Sequence, residues 1–176
     1  MDAKSMQTLT SSERHDWPTP RAFFAAADRL FVEEHGGPFE LDAAASSSNA
    51  KCDRFFDESD NGLRQPWSAR RVWLNPPYGS AIPVWITKAI EESRRGAIVA
   101  VLIPARVDTV WFHNAAAAAA EIRFVKGRIT FAGAAHAAPF PSALLIFRHR
   151  WSPPSGERVV WWDWSDRARN LELFER

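Results

Sequence analysis

The stretch "AIVAVLIPA", residues 97–105, limits the fold of this chain more than any other part of the sequence. It is a continuous apolar run rich in β-branched residues, without the alternating polar residues of a strand that has one face in water. Such runs are typical of strands buried on both faces of a parallel sheet. The sequence therefore predicts a sheet that is covered by helices on both sides.

Three helical patterns surround this run: "RAFFAAADRLFVEEH", "PVWITKAIEESRR" and the alanine-rich "DTVWFHNAAAAAAE". Asp108 and Thr109 are candidate caps for the third helix. The helical spacing predicts that the first two helices bury Phe23, Phe24, Ala27, Leu30 and Phe31, and Val84, Ile86, Ala89 and Ile90.

Strand patterns alternate with these helices. They occur in "PFELD", around residues 54–56, and in "RRVWL", "EIRFVKGRITF", "SALLIF" and "RVVWWDW", with "SPPSGE" as a turn between the last two. We therefore expect an α/β fold: a Rossmann-like, doubly wound, mostly parallel sheet with an antiparallel edge hairpin, in a single minimal domain.

Composition narrows the class of protein. The 176 residues suit one domain, which we place at residues 16–164, after a disordered leader (1–15) and before a C-terminal tail (165–176). A formal net charge of +1 means that any nucleic-acid surface must be local. The single Cys52 and the scattered histidines predict neither a disulfide nor a metal site. Without an apolar run long enough to span a bilayer, we expect a cytoplasmic protein that binds no membrane.

Polar residues follow two of the predicted strands. "LDAAAS" ends one strand at Asp42, and "LNPPYG" ends another at Asn75. In open sheets of this type, ligands bind beyond the carboxyl ends of the strands. Both segments should therefore line one crevice, together with the loop after "LIPA".

The stretch "NPPY" has the chemistry of a clamp for a planar ligand with an amino group. The Asn75 side-chain oxygen and the Pro76 carbonyl can accept both amino hydrogens, because Pro77 holds the preceding residue extended. Tyr78 offers a flat face for stacking. Two acceptors would keep the amino nitrogen nearly tetrahedral and expose its lone pair. The alternative is that these residues only form a turn at the end of the strand, which would not explain why the acceptors and the aromatic ring occur together.

"NPPY" resembles the catalytic motif of amino-methyltransferases that use S-adenosylmethionine. Together with "DWPTP", "LDAAASSSNAKC", "DNGLRQPW", "LIPARVDTVWFH" and "APFPSALLIF", it resembles the phage-type DNA N6-adenine methyltransferases over roughly residues 16–147. The resemblance implies the methyltransferase fold, S-adenosylmethionine as cofactor and DNA as partner. Asn75, Pro76, Pro77 and Tyr78 would then hold the target adenine.

The resemblance also implies a cofactor site. Thr19 and Pro20 correspond to an element beside the methionine carboxylate, and Asp60 to the acidic position near the cofactor's adenine. Asp42, with the small residues from Ala43 to Ser46, corresponds to the strand end that supports the methionine amino group. The usual glycine-rich loop is replaced by alanine and serine.

Four basic residues are candidates for contacts to the DNA phosphates: Arg106, Arg123, Lys126 and Arg128. The last three stand at near-alternate positions, which also fits a solvated edge strand, and Arg106 could instead pair with Asp108. No segment is long enough for a separate recognition domain, so sequence specificity should come from loops, from a second copy or from a partner subunit.

Other functions stay open at this point. The same four-residue motif serves methylation of adenine in RNA and of glutamine in proteins. A further alternative is a base-binding partner subunit that is catalytically inert, which the missing glycine-rich loop supports.

Overall fold

The computed structural model describes residues 17–68, 71–150 and 156–165. The predicted leader and nearly all of the predicted tail lie outside these residues, so the division of the chain stays a prediction. In chain order the elements are α1 (Arg21–His35), β1 (Leu41–Asp42), β2 (Arg71–Leu74), α2 (Ile82–Arg94), β3 (Ile98–Pro104), α3 (Val110–Ala118), β4 (Glu121–Val125), β5 (Ser142–Phe147) and β6 (Val159–Trp162).

The strands form one six-stranded sheet in the order β1-β2-β3-β5-β4-β6. Neighbours β1, β2 and β3 are parallel, β5 is antiparallel to both β3 and β4, and β6 is parallel to β4. All seven residues of β3 are buried, as the apolar run predicted. The α/β fold with a mostly parallel sheet is therefore confirmed.

The predicted antiparallel edge hairpin is wrong. β5 lies between β3 and β4, and β6 pairs with β4 rather than with β5. Burial explains the difference, because all six residues of β5 are buried while only Trp162 of β6 is. A strand whose residues are all buried is most stable inside the sheet, whereas the more exposed β6 can lie at the edge. The strand expected at 54–56 is reduced to a single bridge between Phe55 and Asp42.

The helices bury most of the predicted faces. In α1, Phe23, Ala27, Leu30 and Phe31 are all buried, and Phe24 packs against the core from a half-buried position. In α2, Ile86 and Ala89 are buried as predicted, together with Ile82 and Trp85, and Ile90 packs against the core from a half-buried position. Val84 is 56% exposed, so its assignment to that face was wrong. Thr109 caps α3 by accepting a hydrogen bond from the Phe112 amide at 3.4 Å.

Arg123 is buried, which corrects its assignment to a DNA-binding edge. Its strand, β4, lies inside the sheet, and the residue is only 7% exposed. The guanidinium binds Glu34 of α1 at 2.6 Å and also the fully buried Glu121. The charged residues Glu121 and Arg123 of β4 therefore form ion pairs inside the protein and do not bind phosphates at its surface.

His35 lies beside these buried ion pairs. Burial, followed by the nearby charges of Arg148 and Arg123, lowers its pKa to about 4, so the ring is neutral at physiological pH. Ligand atoms of Glu34, His35 and Glu121 lie within 4.8 Å of one another, a grouping that the sequence spacing did not reveal. The Arg123 guanidinium already supplies the positive charge that both carboxylates need.

Candidate functional site

The carboxyl ends of β1 and β2 form one side of a small recess. Asp42 is the last residue of β1, and Asn75 directly follows β2, the next strand in the sheet. Pro18 and Thr19 lie on the other side. The recess is lined by Pro18, Thr19, Asp42, Ala44, Asn49, Lys51, Trp73 and Asn75.

The orientation of the Asn75 amide is fixed by its neighbour. Its Nδ2 donates a hydrogen bond to the backbone carbonyl of Trp17 at 2.7 Å. A carbonyl oxygen only accepts hydrogen bonds, so the amide nitrogen must face Trp17. Asn75 Oδ1 is buried and has no hydrogen-bond partner among the described residues. This is the acceptor that the sequence predicted for an amino group.

Two further buried oxygens at the recess share this property. Thr19 and Asp42 are each 3% exposed, and Thr19 Oγ1 and Asp42 Oδ1 have no hydrogen-bond partner in the described part of the chain. Buried polar atoms are nearly always hydrogen-bonded, because leaving one unpaired costs about 1–3 kcal/mol. Three such acceptors around one recess fit a ligand that carries several hydrogen-bond donors.

Asp42 has unusual electrostatics for a carboxyl group. Burial raises its pKa to about 7, and the backbone amides of Lys51 and Ala44 only partly oppose this effect. The Lys51 amide donates to Asp42 Oδ2 at 3.0 Å. A cationic group bound at Oδ1 would favour the ionised form, so this carboxyl is suited to a positively charged ligand.

The loop after β1 is held by internal hydrogen bonds. Asn49 Oδ1 accepts from the Ser46 amide at 2.8 Å, and the Ala43 amide donates to the Trp73 carbonyl at 2.9 Å. Ala44, rather than Ala43 or Ser46, lines the recess. Sequence reasoning missed Asn49 and Lys51, which no periodic pattern distinguishes from an ordinary polar loop.

Two predicted cofactor residues lie outside the recess. Pro20 occupies the N-cap position of α1, and its neighbour Pro18 lines the recess instead. Asp60 is exposed, and its carboxylate accepts from the Asp57 amide at 3.0 Å within a turn. That turn packs against the end of β1 through Gly62, where a Cβ would lie 2.3 Å from the Ala43 carbonyl. Asp60 is therefore not among the residues that line the recess, and its place near the cofactor's adenine stays a prediction.

Tyr78 lies in an aromatic cluster formed by Trp17, Tyr78, Phe131 and Phe140. Its ring centroid is 6.1 Å from that of Phe131 and 5.7 Å from that of Phe140, both in edge contacts, and the residue is 6% exposed. Pro76 is buried and Pro77 is exposed. The Ala132 amide donates to the Pro18 carbonyl at 2.9 Å, so the loop between β4 and β5 lies against the recess.

The remaining candidate DNA contacts lie at the same edge of the sheet. Arg106 follows β3, and Lys126 and Arg128 follow β4; all three are exposed. Lys126 forms an ion pair with Asp163 at 2.5 Å. Among the described ion pairs, none joins Arg106 to Asp108, so the pairing considered as an alternative does not form.

A wider cavity at the opposite edge of the sheet differs in chemistry. It lies between Trp67 and Glu92 and contains none of the predicted site residues. The Glu92 carboxylate there already accepts hydrogen bonds from Lys88 at 2.7 Å and Arg95 at 2.8 Å. Unpaired buried acceptors, rather than volume, therefore mark the recess as the candidate site.

Comparisons with known proteins identify the family of this chain. A sequence model of the DNA N-6-adenine-methyltransferase (Dam) family matches residues 6–161. The DNA N-6-adenine-methyltransferase of Escherichia phage T1 is 37% identical over 115 residues, which cover 65% of this chain and 46% of that protein. The enzyme of that name from Haemophilus phage HP1 is 30% identical over 131 residues, covering 72% of this chain and 73% of that protein.

A solved structure supports the fold. It belongs to a Listeria monocytogenes protein assigned to the class I S-adenosylmethionine-dependent methyltransferases, with a TM-score of 0.58 and 12% identity. The match covers 98% of this chain and 76% of that one. The chain spans just under half the length of the phage T1 relative. Among the described residues, none of the helices is long and apolar enough to cross a membrane.

Proposed function

The chain belongs to the DNA N-6-adenine-methyltransferase family, and we propose that it transfers a methyl group from S-adenosylmethionine to the N6 amino group of adenine in DNA. One observation carries this proposal. Thr19 Oγ1, Asp42 Oδ1 and Asn75 Oδ1 are buried acceptors without a partner in the described residues, and all three residues line one recess. That recess lies at the carboxyl edge of the sheet, where this type of fold binds its ligands.

The donor half of the recess suits the cofactor's methionine end. Bound S-adenosylmethionine supplies a methyl group on a positively charged sulfur, which leaves as a neutral thioether. Asp42 would accept a hydrogen bond from the methionine ammonium, and Thr19 Oγ1 would bind beside it. Both side chains would hold the donor in place beside the substrate that Asn75 binds.

Asn75 acts on the other substrate. Its Oδ1 accepts one N–H of the adenine amino group, and the Pro76 carbonyl is the proposed second acceptor. With both hydrogens held, the nitrogen lone pair would point away from the ring plane and attack the methyl carbon while the bond from that carbon to sulfur breaks. The methylated amino group, which is then positively charged, would lose one of its two protons to water. The Trp17 contact keeps the Asn75 amide in the required orientation. This direct attack needs no histidine.

The target base must leave the double helix to reach Asn75, at a cost of a few kcal/mol. Stacking on Tyr78 would offset part of that cost. Because the Tyr78 ring is 6% exposed, a base can stack on it only if the loop that carries Phe131 and Phe140 shifts. We infer that base entry and the movement of this loop are coupled.

Protonation of Asp42 gives a test that does not require catalysis. The ordinary carboxyl pKa lies near 3.8 and the folded value near 7, so the stability that the neutral carboxyl contributes is lost as pH rises from 4 to 7. An Asp42→Asn variant avoids that loss. We expect it to be more stable than the unaltered protein at pH 8, by up to about 4 kcal/mol, and to differ little at pH 4.

Thermal unfolding of both proteins at several pH values measures this difference. The same variant should lose S-adenosylmethionine binding, and the affinity of the unaltered protein should fall as pH drops below about 7. A variant that is less stable than the unaltered protein at pH 8 would contradict the assigned role of burial.

Phosphate contacts give a second expectation. Arg106→Ala and Arg128→Ala should each weaken DNA binding about equally for all DNA sequences. Each should also lower the salt slope, which is the slope of log K for DNA binding against the logarithm of salt concentration, by about the value of one phosphate contact. Lys126 is the third cation proposed for this role. Arg94→Ala, at the far end of α2, is the matched control, since Arg94 is exposed but remote from this edge. An unchanged salt slope in both variants would remove these residues from the interface.

Recognition of the DNA sequence falls, in this proposal, to surface loops, to a second copy of the chain or to a partner subunit. The described residues form one sheet with its helices and leave no separate recognition unit. Because the substrate is DNA and the named relatives are phage proteins, we place the reaction in the cytoplasm, that of the host cell where the gene is carried by a phage.

Methyl transfer from labelled S-adenosylmethionine to DNA, RNA and protein, offered separately to the purified chain, tests the proposed substrate. We expect label in DNA, at N6 of adenine. Label confined to RNA or to protein glutamine would replace the proposal with one of those alternatives. If the folded protein shows neither methyl transfer nor saturable cofactor binding, the inert partner subunit becomes the favoured alternative.

A further inference from the structure

We propose that Lys51 binds the methionine carboxylate of S-adenosylmethionine and so replaces the glycine-rich loop that this chain lacks. This inference rests on the proposed function and adds a residue that determines cofactor affinity. It follows from the position of Lys51, from the groups that hold it, and from the charge pattern of the recess.

Lys51 is anchored at the recess by its backbone and its side chain. Its amide donates to Asp42 Oδ2 at 3.0 Å, which places the residue directly beside the proposed ammonium site. Its ammonium group donates to the backbone carbonyl of Asn49. Both Asn49 and Lys51 line the recess. A lysine ammonium has three donors, so this contact leaves two that can bind a carboxylate.

The charges of the recess match an amino acid zwitterion. The methionine end of the cofactor carries an ammonium and a carboxylate on one carbon atom, so its site needs a negative and a positive group side by side. Asp42 and Lys51 are such a pair. The described ion pairs do not include one between them, which leaves each charge available to the opposite end of a ligand.

The structure of the loop explains why a side chain takes this role. In a glycine-rich loop, backbone amides can approach a ligand closely. Here the Ala43 and Ala45 amides donate to the carbonyls of Trp73 and Phe56, and the Ser46 amide donates to Asn49. Those donors are already used inside the protein. The Lys51 ammonium is the cation that the recess offers in their place.

Binding of cofactor analogues isolates the carboxylate contact. Titrations would compare S-adenosylmethionine with decarboxylated S-adenosylmethionine, which keeps the ammonium and the sulfonium, for the unaltered protein and for Lys51→Met. We expect Lys51→Met to bind S-adenosylmethionine about 10- to 100-fold more weakly, the usual effect of losing a charge-assisted hydrogen bond. Both proteins should bind the decarboxylated analogue about equally. Lys51→Arg should recover part of the loss, and Arg94→Met, which removes a remote positive charge, should change neither affinity.

Two outcomes would overturn the assignment. If Lys51→Met binds both ligands as the unaltered protein does, Lys51 does not contact the carboxylate. If it loses affinity for both by the same factor, Lys51 only supports the loop. Absence of binding to either ligand by the unaltered, folded protein would instead refute the proposed function, so the two failures are distinguishable.

Discussion

Replacing Asn75 with alanine is expected to lower kcat for DNA methylation at least about 100-fold, the usual scale for removing a polar group aimed at the reacting atoms. The variant loses the unpaired Oδ1 that is proposed to hold the adenine amino group. It should still bind S-adenosylmethionine, within about tenfold of the unaltered affinity, because Asp42 and Thr19 remain. Single-turnover kinetics with separate cofactor titrations measure both quantities.

Two further variants separate chemistry from local structure. Asn75→Asp keeps an acceptor but loses the donor that binds the Trp17 carbonyl at 2.7 Å, so it tests the orienting contact together with the effect of an added negative charge. Asn114→Ala removes an exposed amide from α3 and should leave kcat unchanged. If Asn75→Ala methylates DNA at a rate near that of the unaltered protein, Asn75 does not hold the amino group.

Replacing Arg123 with methionine is expected to destabilise the protein by about 3–5 kcal/mol, the usual result of removing one partner of a buried ion pair. The change leaves Glu121, which is fully buried, without its compensating charge, and it also removes the contact to Glu34. Equilibrium unfolding in denaturant measures the loss. The salt dependence of DNA binding, measured on the remaining folded protein, should not change.

Lys126→Met is the matched comparison, because both residues come from the same stretch of alternating cations. Its ion pair with Asp163 is at the surface and should contribute less than about 1 kcal/mol to stability. We therefore expect Arg123→Met to lower stability without changing DNA binding, and Lys126→Met to weaken DNA binding with little effect on stability. An Arg123 variant that loses under about 1 kcal/mol, or that lowers the salt slope, would restore Arg123 to the DNA surface.

The sequence was sufficient to predict features that depend on local periodicity. The apolar run of β3 and the helical spacing in α1 identified a parallel sheet covered by helices. The rule that ligands bind at the carboxyl ends of strands then placed Asp42 and Asn75 together, and the recess contains both.

Long-range pairing was beyond the same reasoning. Strands β5 and β6 follow one another in the chain, which suggested a hairpin, but the burial of β5 requires an interior position. Arg123, Lys126 and Arg128 stand at near-alternate positions, which suggested an exposed edge, and only the folded chain brings Glu34 of a distant helix against Arg123. Alternation alone does not distinguish a solvated cation from one that is paired inside the protein.

The site itself was predicted in part. Asp42 and Asn75 were identified by their positions at strand ends, and Thr19 was identified by the family resemblance; all three line the recess. Trp17, which orients the Asn75 amide, contributes only its backbone carbonyl, so its side chain gave no indication of this role. Asn49 and Lys51 belong to a loop whose residues acquire their positions through hydrogen bonds across the fold.

Mass spectrometry of nucleosides tests the central claim most directly. The DNA and RNA of a host without its own adenine methylation would be digested after expression of the unaltered chain and, separately, of the Asn75→Ala variant. We expect N6-methyladenine in DNA with the unaltered chain alone, and none above background in RNA. Unmodified adenine in DNA from cells that contain abundant folded protein, or equal modification by the variant, would contradict it.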